Sequence, residues 1–255
     1  MTDLAPFGDA PVFVHAHPDD ESISTGGTIA ALLAGGARVT VLTGTRGERG
    51  EVVPGDLAPL EGTHELGPHR VGELADALRA LGGPAHAFLG TTPARASGQP
   101  RRQYADSGMR WGADGFAAAA GDAGPDALSL APLDEVVADV LAASADATAL
   151  VSYDALGGYG HPDHVRMHDA ALAAAGRLGI PFFAVVEPRV ERASAGADGP
   201  SPEVVLDLVA VGALAAKVAA MAAHRSQLTI DGTDFVLSGG QRHPVGVLES
   251  FRRLL

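Results

Sequence analysis

Short apolar runs that alternate with segments of helical periodicity constrain the fold of this 255-residue chain most strongly. The first run, Pro11-Val-Phe-Val-His-Ala16, has the continuous apolar character of a parallel strand buried on both faces. A helical pattern follows from about Glu21 to Leu33 and stops at Gly35-Gly36. The same alternation recurs and predicts strands at 38–43, 85–89, 148–153 and 180–186, and helices at 70–81, 133–143 and 161–177.

This alternation predicts an α/β fold: a Rossmann-like, mostly parallel sheet with helices on both faces, plus a smaller C-terminal α/β portion. Residues 188–202 have the composition of a linker, and we expect a strand at 204–209 and a helix at 213–224 after it. We therefore divide the chain into a core over residues 1–186 and a C-terminal portion over 187–255 that packs on the core and shapes the outer pocket.

The composition excludes several classes of function. Acidic residues outnumber basic ones by 31 to 18, and a net charge of −13 disfavours binding to nucleic acid or to an anionic membrane. The apolar stretches are too short to span a bilayer, and the N-terminus lacks the pattern of a secretory signal, so we expect a cytoplasmic protein. There is no cysteine, so any metal must be held by His, Asp or Glu.

Two His-Pro-Asp segments follow predicted buried strands, His17-Pro-Asp-Asp-Glu21 after the first and His161-Pro-Asp-His164 after the strand at 148–153. Ligands of open α/β sheets bind beyond the carboxyl ends of the strands, where both segments lie. His17 and Asp20 are spaced to share one ion, and Asp19 between them can act as a base.

His161, His164 and His168 share one helix face, and one of them would complete a two-histidine, one-carboxylate site for Zn²⁺ or Fe²⁺. The spacing does not say which. The simpler alternative is that each Asp only favours the first turn of a helix. A dinucleotide-binding domain is excluded, because no G-x-G-x-x-G motif follows the first strand.

The two motifs together resemble the signature pair of the LmbE/PIG-L-like N-acetylglucosamine deacetylases. The segments Gly47-Glu-Arg-Gly-Glu-Val52, Arg70-Val-Gly-Glu-Leu74, Asp106-Ser-Gly-Met109 and Gly157-Gly-Tyr-Gly160 are similar to the MshB branch of that family. Members of that branch deacetylate GlcNAc-inositol in mycothiol biosynthesis. The similarity covers about residues 10–178 and, weakly, 215–227.

The resemblance implies a role for each matching residue. The zinc ligands would be His17, Asp20 and His164. Asp19 would be the general base. His161 would stabilise the oxyanion or act as general acid, tuned by Asp163, and Tyr159 would polarise the amide carbonyl. The substrate, a small amino sugar, would be contacted by Arg70, Asp106, Glu51 and Met109.

Other interpretations stay open at the level of sequence. The chain could be a mycothiol S-conjugate amidase, a deacetylase of another GlcNAc-containing molecule, or a sugar-binding protein without catalysis. Trp111, in a long Gly- and Pro-rich stretch, either stacks on a sugar or packs within its loop. Glu21 either braces His17 or simply favours the start of a helix.

Overall fold

A seven-stranded sheet forms the centre of the computed structural model, which describes residues 4–112, 117–186 and 203–255. The strands are β1 (Pro11–His15), β2 (Thr40–Thr43), β3 (Ala85–Phe88), β4 (Met109–Trp111), β5 (Ala117–Ala119), β6 (Ala149–Ser152), β7 (Phe182–Val185), β8 (Val204–Asp207), β9 (Leu228–Asp231), β10 (Asp234–Leu237), β11 (Arg242–Pro244) and β12 (Leu248–Arg253). The helices are α1 (Asp20–Ala34), α2 (Leu66–Ala80), α3 (Leu133–Ala142), α4 (Gly157–Gly160), α5 (Pro162–Leu178) and α6 (Leu214–Ala223).

The main sheet has the order β3-β2-β1-β6-β7-β12-β8. Its first five strands are parallel, and β12 runs antiparallel to both β7 and β8. The predicted mostly parallel, Rossmann-like sheet is therefore confirmed. The chain leaves β1 toward β2 on one side and later returns to β6 on the other, so the topological switch point lies between β1 and β6.

Apolar side chains of β1 alternate between two hydrophobic cores. Val12 and Val14 pack in the core that includes residues of α3 and α5, whereas Phe13 packs on the opposite face with residues of α1, α2 and α6. Because strand side chains alternate between faces, the apolar residues of one strand stabilise both layers, and each buried aliphatic or Phe side chain contributes about 1.5–3 kcal/mol. Helices cover both faces, as predicted.

The C-terminal residues contribute more structure than the sequence predicted. The expected strand and helix are present as β8 and α6, but β12 also joins the main sheet and β9, β10 and β11 form a separate antiparallel sheet. The long stretch after β3 contains the β4–β5 hairpin. The linker predicted at 188–202 lies outside the described residues, and the division at residue 186 stays a prediction. Among the described helices, none is long and apolar enough to cross a membrane.

Candidate functional site

The two His-Pro-Asp segments meet at the switch point. The first follows β1 and begins α1, and the second begins α5, downstream of the adjacent strand β6. Their side chains are largely enclosed: His17 and His164 are buried, and the carboxylate of Asp20 is 13% exposed. The edge of the sheet thus brings together residues that lie almost 150 positions apart in the chain.

Four atoms of three side chains face one another between these segments. Nδ1 of His17 lies 3.3 Å from Nε2 of His164 and 3.4 Å from Oδ2 of Asp20, and Nε2 of His164 lies 3.5 Å from Oδ1 of Asp20. Ligands of a tetrahedral zinc ion, bonded at about 2.0–2.1 Å, are about 3.3–3.4 Å apart. The distances are close to that value, with one oxygen of Asp20 facing His17 and the other facing His164, so the three side chains can share a divalent ion.

The partners of the two histidines indicate that both converging nitrogens carry lone pairs. His17 Nε2 lies 3.2 Å from Oδ2 of Asp163, and Nδ1 of His164 lies 3.2 Å from the carbonyl oxygen of Gly157. These acceptors place the ring protons on those atoms, which leaves His17 Nδ1 and His164 Nε2 as acceptors. In these neutral tautomers, the two nitrogens and the carboxylate of Asp20 offer three ligands to one cation.

Carboxylates surround His17 on both sides of its ring. Burial lowers its pKa, but Asp106, Asp163 and Asp20 outweigh that effect and raise the pKa well above 6.5. Asp106 Oδ1 lies 3.7 Å from Nε2 of His17. Ligand-type atoms of His17, His161 and His164 lie within 4.8 Å of one another, and so do those of His17, Asp106, His161 and Asp163. In this cluster Asp163 already accepts hydrogen bonds from Ser107 N and Oγ, which leaves it less free to bind an ion.

Tyr153, which the sequence analysis did not single out, contacts two candidate ligands, His164 and Asp20. Its ring stacks on the ring of His164 with a centroid distance of 4.0 Å, and its hydroxyl donates to Oδ2 of Asp20 at 2.7 Å. The same hydroxyl accepts from the backbone N–H of Ala16. Its position at the end of the predicted strand at 148–153 could have indicated this role, because ligands bind beyond the carboxyl ends of the strands.

Glycine at position 157 permits the approach of His164. Gly157 has φ of 63°, and a Cβ at this position would lie 2.9 Å from Cβ of His164 and 2.8 Å from the backbone nitrogen of Val165. Only glycine adopts this conformation without strain and leaves room for the ring. Burial, the largest effect, lowers the pKa of His164 to about 4, which keeps the ring neutral as a metal ligand requires.

Asp19 has an unusual backbone, with φ of 123°; it is the one non-glycine residue with positive φ among those described. Its backbone N–H donates to Oε2 of Glu21 at 3.0 Å, and its carboxylate accepts from Nη2 of Arg70 at 3.1 Å. Burial raises the pKa of Asp19 to about 7, against the opposing charge of Arg70. Strained residues that are held on several sides cluster at functional sites.

His161 caps the N-terminus of α5. Its Nδ1 accepts from the backbone N–H of Asp163 at 3.2 Å, so the neutral ring carries its proton on Nε2. Burial and the neighbouring His17 and His164 lower its pKa to about 2. Asp163 thus contacts His161 through its backbone, while its carboxylate faces His17. His168, on the same helix, bonds the carbonyl of Tyr153 and lies outside the cluster.

The remaining predicted residues lie at different depths. The ring of Tyr159 is 5.3 Å from that of His164 and 6.1 Å from that of His161, and the residue is 41% exposed. Asp106 is buried and accepts from the backbone N–H of Gly108. Met109 is half-buried in β4, and the exposed Glu51 lies near Ser238, with Oε2 and Oγ 3.5 Å apart.

Arg70 is buried and faces inward. Besides Asp19, it donates to the carbonyl oxygens of Gly47 and Pro18. Gly47 is required here, because a Cβ would lie 2.1 Å from Nη1 of Arg70. The structure therefore places Arg70 against the loop that carries Asp19.

A buried cluster of histidines and carboxylates beside a strained carboxylate, at the switch point of a Rossmann-like sheet, can hold a metal ion and is typical of hydrolases. Residues 12–175 match the family described as PIG-L, GlcNAc-PI de-N-acetylase, and this chain belongs to that family.

Relatives and solved structures agree with this assignment. A protein of Kineococcus radiotolerans named 1D-myo-inositol 2-acetamido-2-deoxy-alpha-D-glucopyranoside deacetylase is 39% identical over 94% of this chain and 76% of its own length. A protein of the same name from Nocardiopsis dassonvillei is 38% identical over 96% of this chain and 93% of its own length. The crystal structure of the A40926 pseudoaglycone deacetylase shares the fold, with a TM-score of 0.58, 22% identity and coverage of 86% and 82%.

Proposed function

We propose that this chain is a zinc-dependent amide hydrolase that removes the acetyl group from GlcNAc-inositol. The observation that carries the proposal is the convergence of His17 Nδ1, His164 Nε2 and the carboxylate of Asp20 at 3.3–3.5 Å, with Asp19 adjacent. The names of relatives at 38–39% identity support the choice of substrate. Imidazole and carboxylate ligands suit Fe²⁺ as well, so either ion is compatible with the chemistry.

His17, Asp20 and His164 would hold the ion. When bound, a zinc ion supplies Lewis acidity that lowers the pKa of a water molecule to about 7. Asp163, through its contact with His17 Nε2, fixes the ring so that Nδ1 faces the ion, and Gly157 does the same for His164 through its carbonyl.

Asp19 accepts a proton from the attacking water while the water oxygen bonds to the amide carbonyl carbon. The carbonyl oxygen then gains negative charge, which His161 Nε2–H and the Tyr159 hydroxyl, on rings beside the cluster, stabilise. When the C–N bond breaks, the proton held by Asp19 leaves on the amine nitrogen, and acetate and the free amino sugar are released. Asp106, Glu51 and Met109 are proposed to line the sugar site; a sugar contact for Arg70 stays a prediction.

The test is acetate release from GlcNAc-inositol by protein stripped with a chelator and reloaded with one equivalent of Zn²⁺ or Fe²⁺. We expect no activity in the stripped sample and recovery on reloading. A mycothiol S-conjugate is the second substrate, because a faster reaction there would make the chain an amidase. Full turnover by protein that elemental analysis finds free of metal would refute the mechanism.

A further inference from the structure

Trp111 is the one tryptophan of the chain. The residue is 57% exposed, although an indole is among the side chains that gain most from burial. It ends β4, next to the site and at the surface of a strongly acidic protein. An exposed aromatic ring beside a functional site is typical of a surface that receives a ligand.

An aromatic wall connects Trp111 with the metal-ligand cluster. The Trp111 ring lies 5.7 Å from the ring of Tyr159 at an interplanar angle of 38°, and the Tyr159 ring lies 5.3 Å from that of His164. Trp111 is therefore one ring further from the reacting centre than Tyr159. A group that stacks on it belongs to the part of the substrate beyond the amino sugar.

Hydrogen bonds tie the strand of Trp111 to the site. Ser107 N donates to Oδ2 of Asp163 at 2.9 Å, and Gly108 N donates to Oδ1 of Asp106 at 2.8 Å, both immediately before β4. The pairing of Trp111 with Ala117 then holds the strand against β5, which contacts α4 and α5. The ring is thus presented from a fixed element, which lowers the entropic cost of binding a ligand.

We propose that Trp111 is a specificity-determining residue whose indole stacks on the C–H face of the polyhydroxylated ring attached to the amino sugar. Such a ring presents hydroxyls at its rim and an apolar face, which matches an aromatic side chain that is open on one side. The inference rests on the proposed function and adds to it the residue that distinguishes a two-ring substrate from N-acetylglucosamine alone.

The first experiment compares kcat/KM for GlcNAc-inositol with kcat/KM for N-acetylglucosamine, using the zinc-loaded enzyme. In Trp111→Ala we expect the ratio of the two values to fall by about 5- to 10-fold, mainly through KM for the two-ring substrate. Trp111→Phe should restore most of the ratio, because a phenyl ring still stacks. Val209→Ala, which removes an equally exposed apolar side chain elsewhere, is the matched control. An unchanged ratio in Trp111→Ala would overturn the proposal.

The second experiment measures the fluorescence of Trp111 directly, since no other tryptophan contributes to the emission. Zinc-loaded Asp19→Asn, which turns over slowly, is titrated with GlcNAc-inositol and with N-acetylglucosamine. We expect a saturable change in tryptophan emission with the first and a much smaller change with the second. Saturable binding by calorimetry without any change in emission would contradict stacking. Failure of the wild type to release acetate would refute the proposed function instead, and the titration would still decide the role of Trp111.

Discussion

Nη2 of Arg70 lies 3.1 Å from Oδ2 of Asp19, and the same guanidinium donates to the carbonyl of Pro18, the residue before it. Arg70 therefore bonds both the side chain of Asp19 and the peptide that precedes it, and Asp19 is the residue with φ of 123°. A planar group with five fixed donors can do this, whereas the single ammonium of lysine cannot.

We expect Arg70→Lys to lower kcat by about 100-fold, because displacement of a catalytic group by even an ångström has effects of this size. Zinc content should stay at one equivalent, since Arg70 contacts none of the three proposed ligands directly. Arg79→Lys, on the exposed face of the same helix, is the control. A loss confined to KM would instead support the sugar contact that the family resemblance implies for Arg70.

Asp19 and Asp20 are adjacent but should respond differently to the same substitution. Asp20→Asn removes the carboxylate from the three converging ligands, so we expect zinc to be lost on dialysis and activity with it. Asp19→Asn should retain zinc and lose about 100- to 10,000-fold in kcat, the usual contribution of a general base. Elemental analysis and acetate release are measured on both, with the exposed Asp9→Asn as control. The opposite pattern, with metal lost from Asp19→Asn, would exchange the two roles.

A buried ion pair joins the start of α1 to the end of α6. Glu21 Oε1 lies 2.8 Å from Nε2 of His224, and neither side chain is exposed to solvent. Burial raises the pKa of Glu21, but the charge and hydrogen bond of His224 lower it to about 2. Because the other oxygen of Glu21 binds the Asp19 backbone, this pair connects the C-terminal portion to the proposed base.

Removal of one partner leaves the other charge buried. We expect His224→Leu to lower the free energy of unfolding by about 3–5 kcal/mol, the usual cost of such a lone charge. His64→Leu replaces an exposed histidine and should change the free energy of unfolding by no more than about 0.5 kcal/mol. Denaturant unfolding of the zinc-loaded proteins measures both. Equal stability of the two variants would mean that Glu21 is satisfied without His224.

The parts of the site that lie close in sequence to a strand end were predictable. Parallel strands end at one edge, so His17, Asp20 and a histidine of the second segment could be expected to converge once β1 and β6 had been recognised as strands. Only the family resemblance selected His164. The contacts of Tyr153 and Glu21 could not be predicted, since their partners lie 133 and 203 positions away and depend on how distant elements pack.

The C-terminal strands lacked a sequence signal for a physical reason. In β12 the buried positions include Glu249, which accepts from Gly27 N, from Thr28 N and Oγ1, and from Nζ of Lys217. In the sequence, a glutamate at that position predicts a solvent-exposed residue. Only the tertiary structure supplies the hydrogen-bond donors that allow Glu249 to be buried. The short β4 likewise shows no alternation, because Arg110 and Trp111 are both exposed.

His86 on β3 should make stability depend on mild acid. Its Nε2 lies 3.0 Å from Oγ1 of Thr43, and burial lowers its pKa from 6.5 to about 4. Between these values the unfolded chain binds more protons at this position than the folded one, so the free energy of unfolding falls as the pH decreases through that window. The contribution is complete above pH 6.5 and lost once the pH passes 4.

We expect His86→Gln to reduce the slope of the free energy of unfolding against pH in this window by up to about one proton. Urea unfolding at pH 6.5, 5.5 and 4.5 measures the slope. The comparison of each variant with the wild type removes the contribution of groups that titrate in both, and His64→Gln controls for the loss of any histidine. Identical slopes for wild type and His86→Gln would mean that His86 titrates in the folded protein as it does in the unfolded chain, and that burial in β3 does not keep it neutral.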